Sequence, residues 1–262
     1  MKKIIKTWWC ACGPRFGNFG DKLTKTILEY FTDYEIIQHD RKKLNELDMI
    51  GIGSILHVAK GDNFSGKIWT TGFMHEYHKA EFNKCQVIGV RGKLTLDRIK
   101  CKNKENVIVG DGGLLCDSLP VSETNKKYIL GIIPHYVDFD NELINYIVNS
   151  DPNIVKIDIC NDTLKVIETV KECEFILSSC LHGLILSDSL NIPNDWIKVS
   201  ENVHGNGFKF RDYYSIFKIK DKLPYRITRN STLSEITKHL KNYNRPEIER
   251  IKENLKRSIK MI

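Results

Sequence analysis

Short runs of β-branched and aromatic residues, separated by stretches of helical periodicity, recur along most of this chain. Residues 4–9, 35–38, 49–53, 68–72, 86–90 and 107–109 form a first series. Such alternation commits a chain to parallel strands joined by crossover helices, and so to an α/β fold. Residues 21–31 set Leu23, Ile27, Leu28 and Phe31 on one helical face, which suits a helix covering the sheet. A second series, residues 128–133, 154–159, 175–178 and 196–199, follows the polar stretch 121–127, with helical periodicity at 143–148 and 164–170. The expectation is two Rossmann-like domains, residues 1–125 and 126–262, with the polar stretch as linker. From Leu233 onward two helices close the chain, the second opened by Pro246 in its first turn and carrying Ile248, Ile251, Leu255 and Ile259 at helical spacing.

Several classes are excluded early. At 41% hydrophobic and 28% charged, the 262 residues are neither disordered nor fibrous. No run reaches the roughly 18 apolar residues of a membrane span. The start, Met1-Lys2-Lys3-Ile4-Ile5-Lys6, resembles a signal-peptide head, but Gly13, Pro14 and Arg15 break the apolar run that should follow, so a cytoplasmic protein is expected. Eight scattered cysteines read as reduced thiols, and Cys10-Ala11-Cys12 alone is a weak zinc signal. With no dense carboxylate cluster, neither a metal nor a cofactor is expected. The +7 net charge gathers beyond residue 217. It reads as a solvated helical face without any nucleic-acid-binding signature, and leaves open a peripheral contact of the basic C-terminal region with the inner face of an anionic membrane.

Five clusters share one position, just after an expected strand and mostly at a helix start. They are Gly17-Asn18-Phe19-Gly20-Asp21, Arg91-Gly92, Gly110-Asp111-Gly112-Gly113, Pro134-His135 and Ser178-Ser179-Cys180-Leu181-His182-Gly183. Carboxyl ends of parallel strands line the ligand crevice of doubly wound sheets, and free N–H groups at helix starts favour anions. Any one glycine turn is equally what a tight connection needs. His182 has the strongest individual case, because an imidazole beside Ser178 and Ser179 can donate to a phosphate or exchange protons. A Ser-His-Asp hydrolase lacks its G-x-S-x-G elbow here, and neither a P-loop nor a dinucleotide-binding glycine pattern is present.

In this order the clusters, with Gly89-Val90-Arg91-Gly92, Leu130-Gly131-Ile132-Ile133-Pro134-His135 and the later stretch 207–214, resemble the polysaccharide pyruvyltransferase family over most of the chain. Cys180 departs from the pattern, since many relatives carry Arg or Ser before Leu-His-Gly. The resemblance implies a GT-B-like arrangement with a C-terminal helical segment, and transfer of the pyruvyl group of phosphoenolpyruvate to a sugar of a polysaccharide precursor, which is a lipid-linked oligosaccharide in one version. It implies an acceptor side in residues 1–125 and a donor side in 126–262. His182 and Asp21 become the catalytic candidates; Arg91, His135, Ser178, Ser179, Leu181 and Gly183 the donor-binding set; Asn18, Gly20 and Asp111 acceptor or turn residues. A GT-B glycosyltransferase using a nucleotide sugar, or a non-catalytic carbohydrate-binding protein of the same fold, would fit the same two-domain cleft.

Overall fold

The computed structural model describes residues 2–10, 17, 19–59 and 63–262, Asp21 by its backbone alone. In the first half the chain runs β1 (Lys3–Thr7), α1 (Phe19–Phe31), β2 (Tyr34–Gln38), β3 (Met49–Ile50), β4 (Lys67–Ile68), β5 (Ala80–Phe82), β6 (Gln86–Val87), β7 (Gly89–Val90), α2 (Lys93–Asp97), β8 (Ile99–Cys101) and β9 (Ile108–Val109). The second half runs β10 (Tyr128–Ile133), α3 (Glu142–Ser150), β11 (Ile154–Lys156), α4 (Thr163–Lys171), β12 (Cys173–Ser178), α5 (Leu181–Ser189), β13 (Asn194–Trp196), α6 (Phe208–Tyr214), α7 (Leu233–Leu240) and α8 (Ile248–Ile259). The result is a mixed α/β protein with parallel sheets and several helices.

Strand order positions everything that follows. The first sheet reads β2-β1-β3-β4-β6 and the second β11-β10-β12-β13, with every pairing parallel. In each, the chain leaves a central strand to one side and returns on the other. The switch points therefore fall between β1 and β3 and between β10 and β12, where ligand crevices open. β10 and β12 are near-continuous apolar runs because both faces of a parallel sheet are covered. Their crossover helices start at side-chain caps: Asn141 accepts from the N–H of Leu143 and Ile144 at α3, and Asp162 from Leu164 and Lys165 at α4.

All nine residues of α5 are buried, and the helix is apolar on every side but for His182 and a short polar stretch at its C-terminal end. Around it runs one core that includes Ile5, Phe19, Leu23 and Trp69 from the first half and Ile133, Ile176, Leu184 and Tyr213 from the second. α8 belongs to the same core and returns to the first half. There Trp69 Nε1 donates to Ser258 Oγ at 2.8 Å, Lys67 Nζ reaches the carbonyls of Met261 and Ile262 at 2.8 and 2.6 Å, and Ile251 and Leu255 lie over Gly110.

The structure departs from the sequence expectations at particular places. The run 86–90 is two strands in two sheets, β6 beside β4 and β7 beside β9. The three-residue pair β5–β8 had no period long enough to reveal it. Pro246 precedes α8 rather than sitting in its first turn; Glu247, at φ 64°, stands between it and the helix start. Six described cysteines are free thiols, but Cys10 is disulfide-bonded, which corrects the all-reduced reading for that residue. No described helix is long and apolar enough to cross a membrane.

Candidate active site

The two switch points face a common cavity of about 260 Å³. Trp8 and Cys10 enter it from the end of β1, Ser54 and His57 from the end of β3, His135 from the end of β10, and Leu181 and His182 from the end of β12; His204 and Lys209 complete the wall. Arg41 joins them, its guanidinium 5.8 Å from the Trp8 ring. Four histidines, a lysine and an arginine thus line a space to which no carboxylate among the described side chains contributes.

The electrostatics follow from that imbalance. His182 is 6% exposed, and its Nε2 is buried without a hydrogen-bond partner. A buried polar atom left unpaired is costly, so this nitrogen gains from a hydrogen bond with an incoming ligand group. Burial first, then Arg91, Lys209 and His135, push its pKa down to about 3. His135 is likewise lowered to about 3 by burial, Lys209 and His204, and its Nδ1 accepts the Val137 N–H at 3.4 Å. His57 is lowered by burial and then by His78, His75 and Arg41. Basic groups clustered in this way hold His182 and His135 neutral and favour an anion in the cavity.

The other sequence candidates divide into those that shape this cavity and those that do not. Ser178 Oγ bridges the carbonyls of Ile133 and Cys180 at 2.8 Å each and accepts the Cys180 N–H at 3.0 Å, which fixes the turn into α5. Ser179 Oγ accepts the His135 N–H at 2.9 Å and donates to Asp138 at 3.1 Å, locking the two strand ends together. Gly183 is obligatory, since a Cβ there would lie 2.5 Å from Ser178 Oγ. Gly20 allows the start of α1 to abut the imidazole, for its Cβ would lie 1.8 Å from His182 Nδ1. Asn18 and the Asp21 side chain lie outside the described residues.

Arg91 and Asp111 stand apart from the cavity. Arg91 is fully buried, with Nε on Asp212 at 2.9 Å, one terminal nitrogen on Ser54 Oγ at 2.7 Å and the other on the Phe73 carbonyl at 2.7 Å. Asp212 in turn accepts from the Thr95 backbone and hydroxyl at 2.8 and 2.7 Å. The guanidinium expected on the donor is therefore committed to an internal ion pair, and touches the cavity only through Ser54. Asp111 accepts the Gly113 N–H at 2.9 Å as the cap of the 112–118 turn, its Oδ2 unpartnered, and burial raises its pKa to about 7. Lys209, His204, His57, Arg41, Ser54 and Trp8 were not among the sequence candidates. Lys209 alone lay inside a motif already noted, the 207–214 stretch.

Residues 18–200 match the family described as polysaccharide pyruvyl transferase. The chain belongs to the polysaccharide pyruvyl transferase family. It is 32% identical over 214 residues to an uncharacterized protein, L143, of Acanthamoeba polyphaga mimivirus, covering 78% of this chain and 72% of that one. It is 24% identical over 201 residues to the succinoglycan biosynthesis protein ExoV of Rhizobium meliloti, covering 75% of this chain and 60% of that protein's length. No solved structure matches the chain at a significant level. The span shared with the polysaccharide pyruvyl transferase family carries Ser54, His135 and His182, whereas His204 and Lys209 lie beyond it.

Proposed function

We propose that the chain transfers the pyruvyl group of phosphoenolpyruvate to two hydroxyls of a sugar in a polysaccharide or glycan precursor, forming a cyclic ketal. The observation that carries this reading is the unpartnered Nε2 of His182 beside a cavity whose described charged lining is basic. A phosphate and a carboxylate on one small molecule suit a cavity lined by Lys209, Arg41 and four imidazoles. Their arrival raises the pKa of His182, because an opposite charge nearby favours the protonated ring. Donor and proton enter together.

On this reading His182 gives its proton to the methylene carbon of the enol phosphate, leaving oxocarbenium character at the carbon bearing phosphate. A first sugar hydroxyl adds there and returns its proton to His182. The carbon–oxygen bond to phosphate breaks, phosphate leaves with the electron pair and takes the proton of the second hydroxyl, and that oxygen closes the ring. Positioning and electrostatic stabilisation supply most of the rate. His135 and Lys209 hold the donor, with Ser178, Ser179, Leu181 and Gly183 keeping the α5 start in place. Asp21 is a ligand that orients the attacking hydroxyl, and Asn18, Gly20 and Asp111 shape the opposite turns. Two Rossmann-like units, residues 1–125 and 126–262 in a GT-B-like pair, and a cytoplasmic enzyme acting at the inner membrane face in capsule or exopolysaccharide synthesis, belong to the same proposal.

A ligand that binds only the folded state raises the melting temperature by mass action. Phosphoenolpyruvate is expected to raise it more than UDP- or GDP-sugars do, and precursor glycans are expected to trigger phosphate release from it. A shift with a nucleotide sugar and none with phosphoenolpyruvate would replace this reading with a glycosyltransferase.

A further inference from the structure

A second cavity, of about 280 Å³, adjoins the first and shares His204 with it. Its lining differs in kind. Asp138 and Glu201 bring carboxylates, Lys198 a cation, Ser200 and Asn206 neutral polar groups, and Trp196 the wall beneath them. The Trp196 indole stacks on Phe210 with centroids 4.4 Å apart and planes 7° from parallel. Ser179 lines this cavity as well, while the next residues of the same turn, Cys180 to His182, line the first, so one turn divides the two.

The loop that forms the outer wall is fixed in a conformation few sequences can adopt. Gly205, Asn206 and Gly207 have φ of 101°, 43° and 74°, three successive left-handed residues. A Cβ at Gly205 would lie 2.4 Å from the Met74 carbonyl, and one at Gly207 would lie 2.8 Å from the Trp196 ring. The glycines therefore bring the loop against the first half on one side and the indole on the other. Asn206 projects from the turn between them. Asp138 is held at the inner end by Ser179 and Ser200, which both donate to it.

We propose that this second cavity is the cradle for the sugar that receives the pyruvyl group. The inference rests on the donor reading of the neighbouring cavity. With Glu201 paired to Lys198 at 2.7 Å and Asp138 held by two serines, the lining is close to neutral overall, and its carboxylate, amide and hydroxyl groups over an aromatic wall suit a neutral ring with hydroxyls on its rim and C–H groups on its face. The volume sits just below the range for drug-sized ligands and fits one sugar ring. The shared His204 and the Ser179–Cys180 turn set the direction in which the reacting hydroxyls enter. The cradle moves from residues 1–125, where the acceptor side was expected, to the 198–207 loop at the edge of the second half.

The test follows the indole N–H resonance of Trp196, assigned by its loss in Trp196→Phe, during titration with methyl glycosides of glucose, galactose, mannose and N-acetylglucosamine. At least one glycoside is expected to shift that signal saturably, and Asn206→Gly, which retains the turn, to weaken this binding at least ~10-fold while the phosphoenolpyruvate-induced thermal shift stays unchanged. No glycoside perturbing Trp196, or an Asn206→Gly protein binding as tightly as the parent, overturns the proposal. Glycoside binding without any phosphoenolpyruvate effect keeps the cradle and removes the donor reading.

Discussion

Arg91 and His182 occupy corresponding places, each just after a strand and before a helix, one in each half of the molecule. Both are buried, at 0% and 6% exposure, and both are basic. Their surroundings are opposite. Every face of the Arg91 guanidinium is answered by Asp212, Ser54 and the Phe73 carbonyl, whereas His182 keeps an orphaned nitrogen beside a cavity lined by no carboxylate among the described side chains. A strand-to-helix turn marks where a functional group can stand, and only the partners show whether its valence is spent inside the protein.

Breaking that contrast from the Arg91 side gives the largest effect. A lysine at 91 is a point charge that cannot answer Asp212, Ser54 and Phe73 together, so Arg91→Lys is expected to destabilise the protein by about 3 kcal/mol, near the lower bound for disrupting a buried pair. Donor affinity per folded molecule should stay within about twofold, read by urea unfolding at constant m together with phosphoenolpyruvate titration. A variant that folds normally yet loses the donor would return Arg91 to the binding set.

From the other side, His182→Ala should lower turnover at least ~100-fold, about 2.7 kcal/mol of barrier, with the circular dichroism spectrum retained. If the imidazole chiefly binds phosphate, apparent donor affinity falls too; if it chiefly moves protons, the loss appears in kcat alone. Near-native activity in this variant would remove the contrast altogether.

The smallest effect is titration. His182 and His135 sit near 3 when folded against an ordinary 6.5, so between those values the unfolded chain binds more protons. Stability is therefore fully present above pH 6.5 and is lost as pH falls, by about 1 kcal/mol per histidine between pH 7 and 5.5. Replacing His182 should remove roughly half of that slope, while phosphoenolpyruvate should bind more tightly toward pH 5.5. A slope unchanged by the substitution would place the missing protons elsewhere.

What could be read from sequence follows how local the signal is. β10 and β12 are six-residue apolar runs with a motif at each carboxyl end, so His135 and the Ser178 to Gly183 turn were legible along with the sheet that carries them. Lys209 was hidden because a lysine within F-K-F-R reads as a solvated helix face, and nothing local tells that α6 buries it to 6%. Arg41 and His204 reach the cavity from loops, and His57 from the short 3-10 turn 56–59, whose course no periodicity sets. The partner that decides the role of Arg91 lies 121 positions away, beyond any window in which pattern can be judged. Ile88 concealed a change of sheet, because two strands that abut in sequence share one apolar run.

The return of α8 to the first half also bears on how the protein is made. A ribosome delivers residues 1–125 long before residues 248–259, so the nascent first half waits with the Trp69 N–H unanswered and the surface over Gly110 uncovered. Folding of that half is completed by a helix synthesised well over a hundred residues after it. Until α8 arrives, the apolar surface over Gly110 faces water, which the first half must tolerate throughout its synthesis.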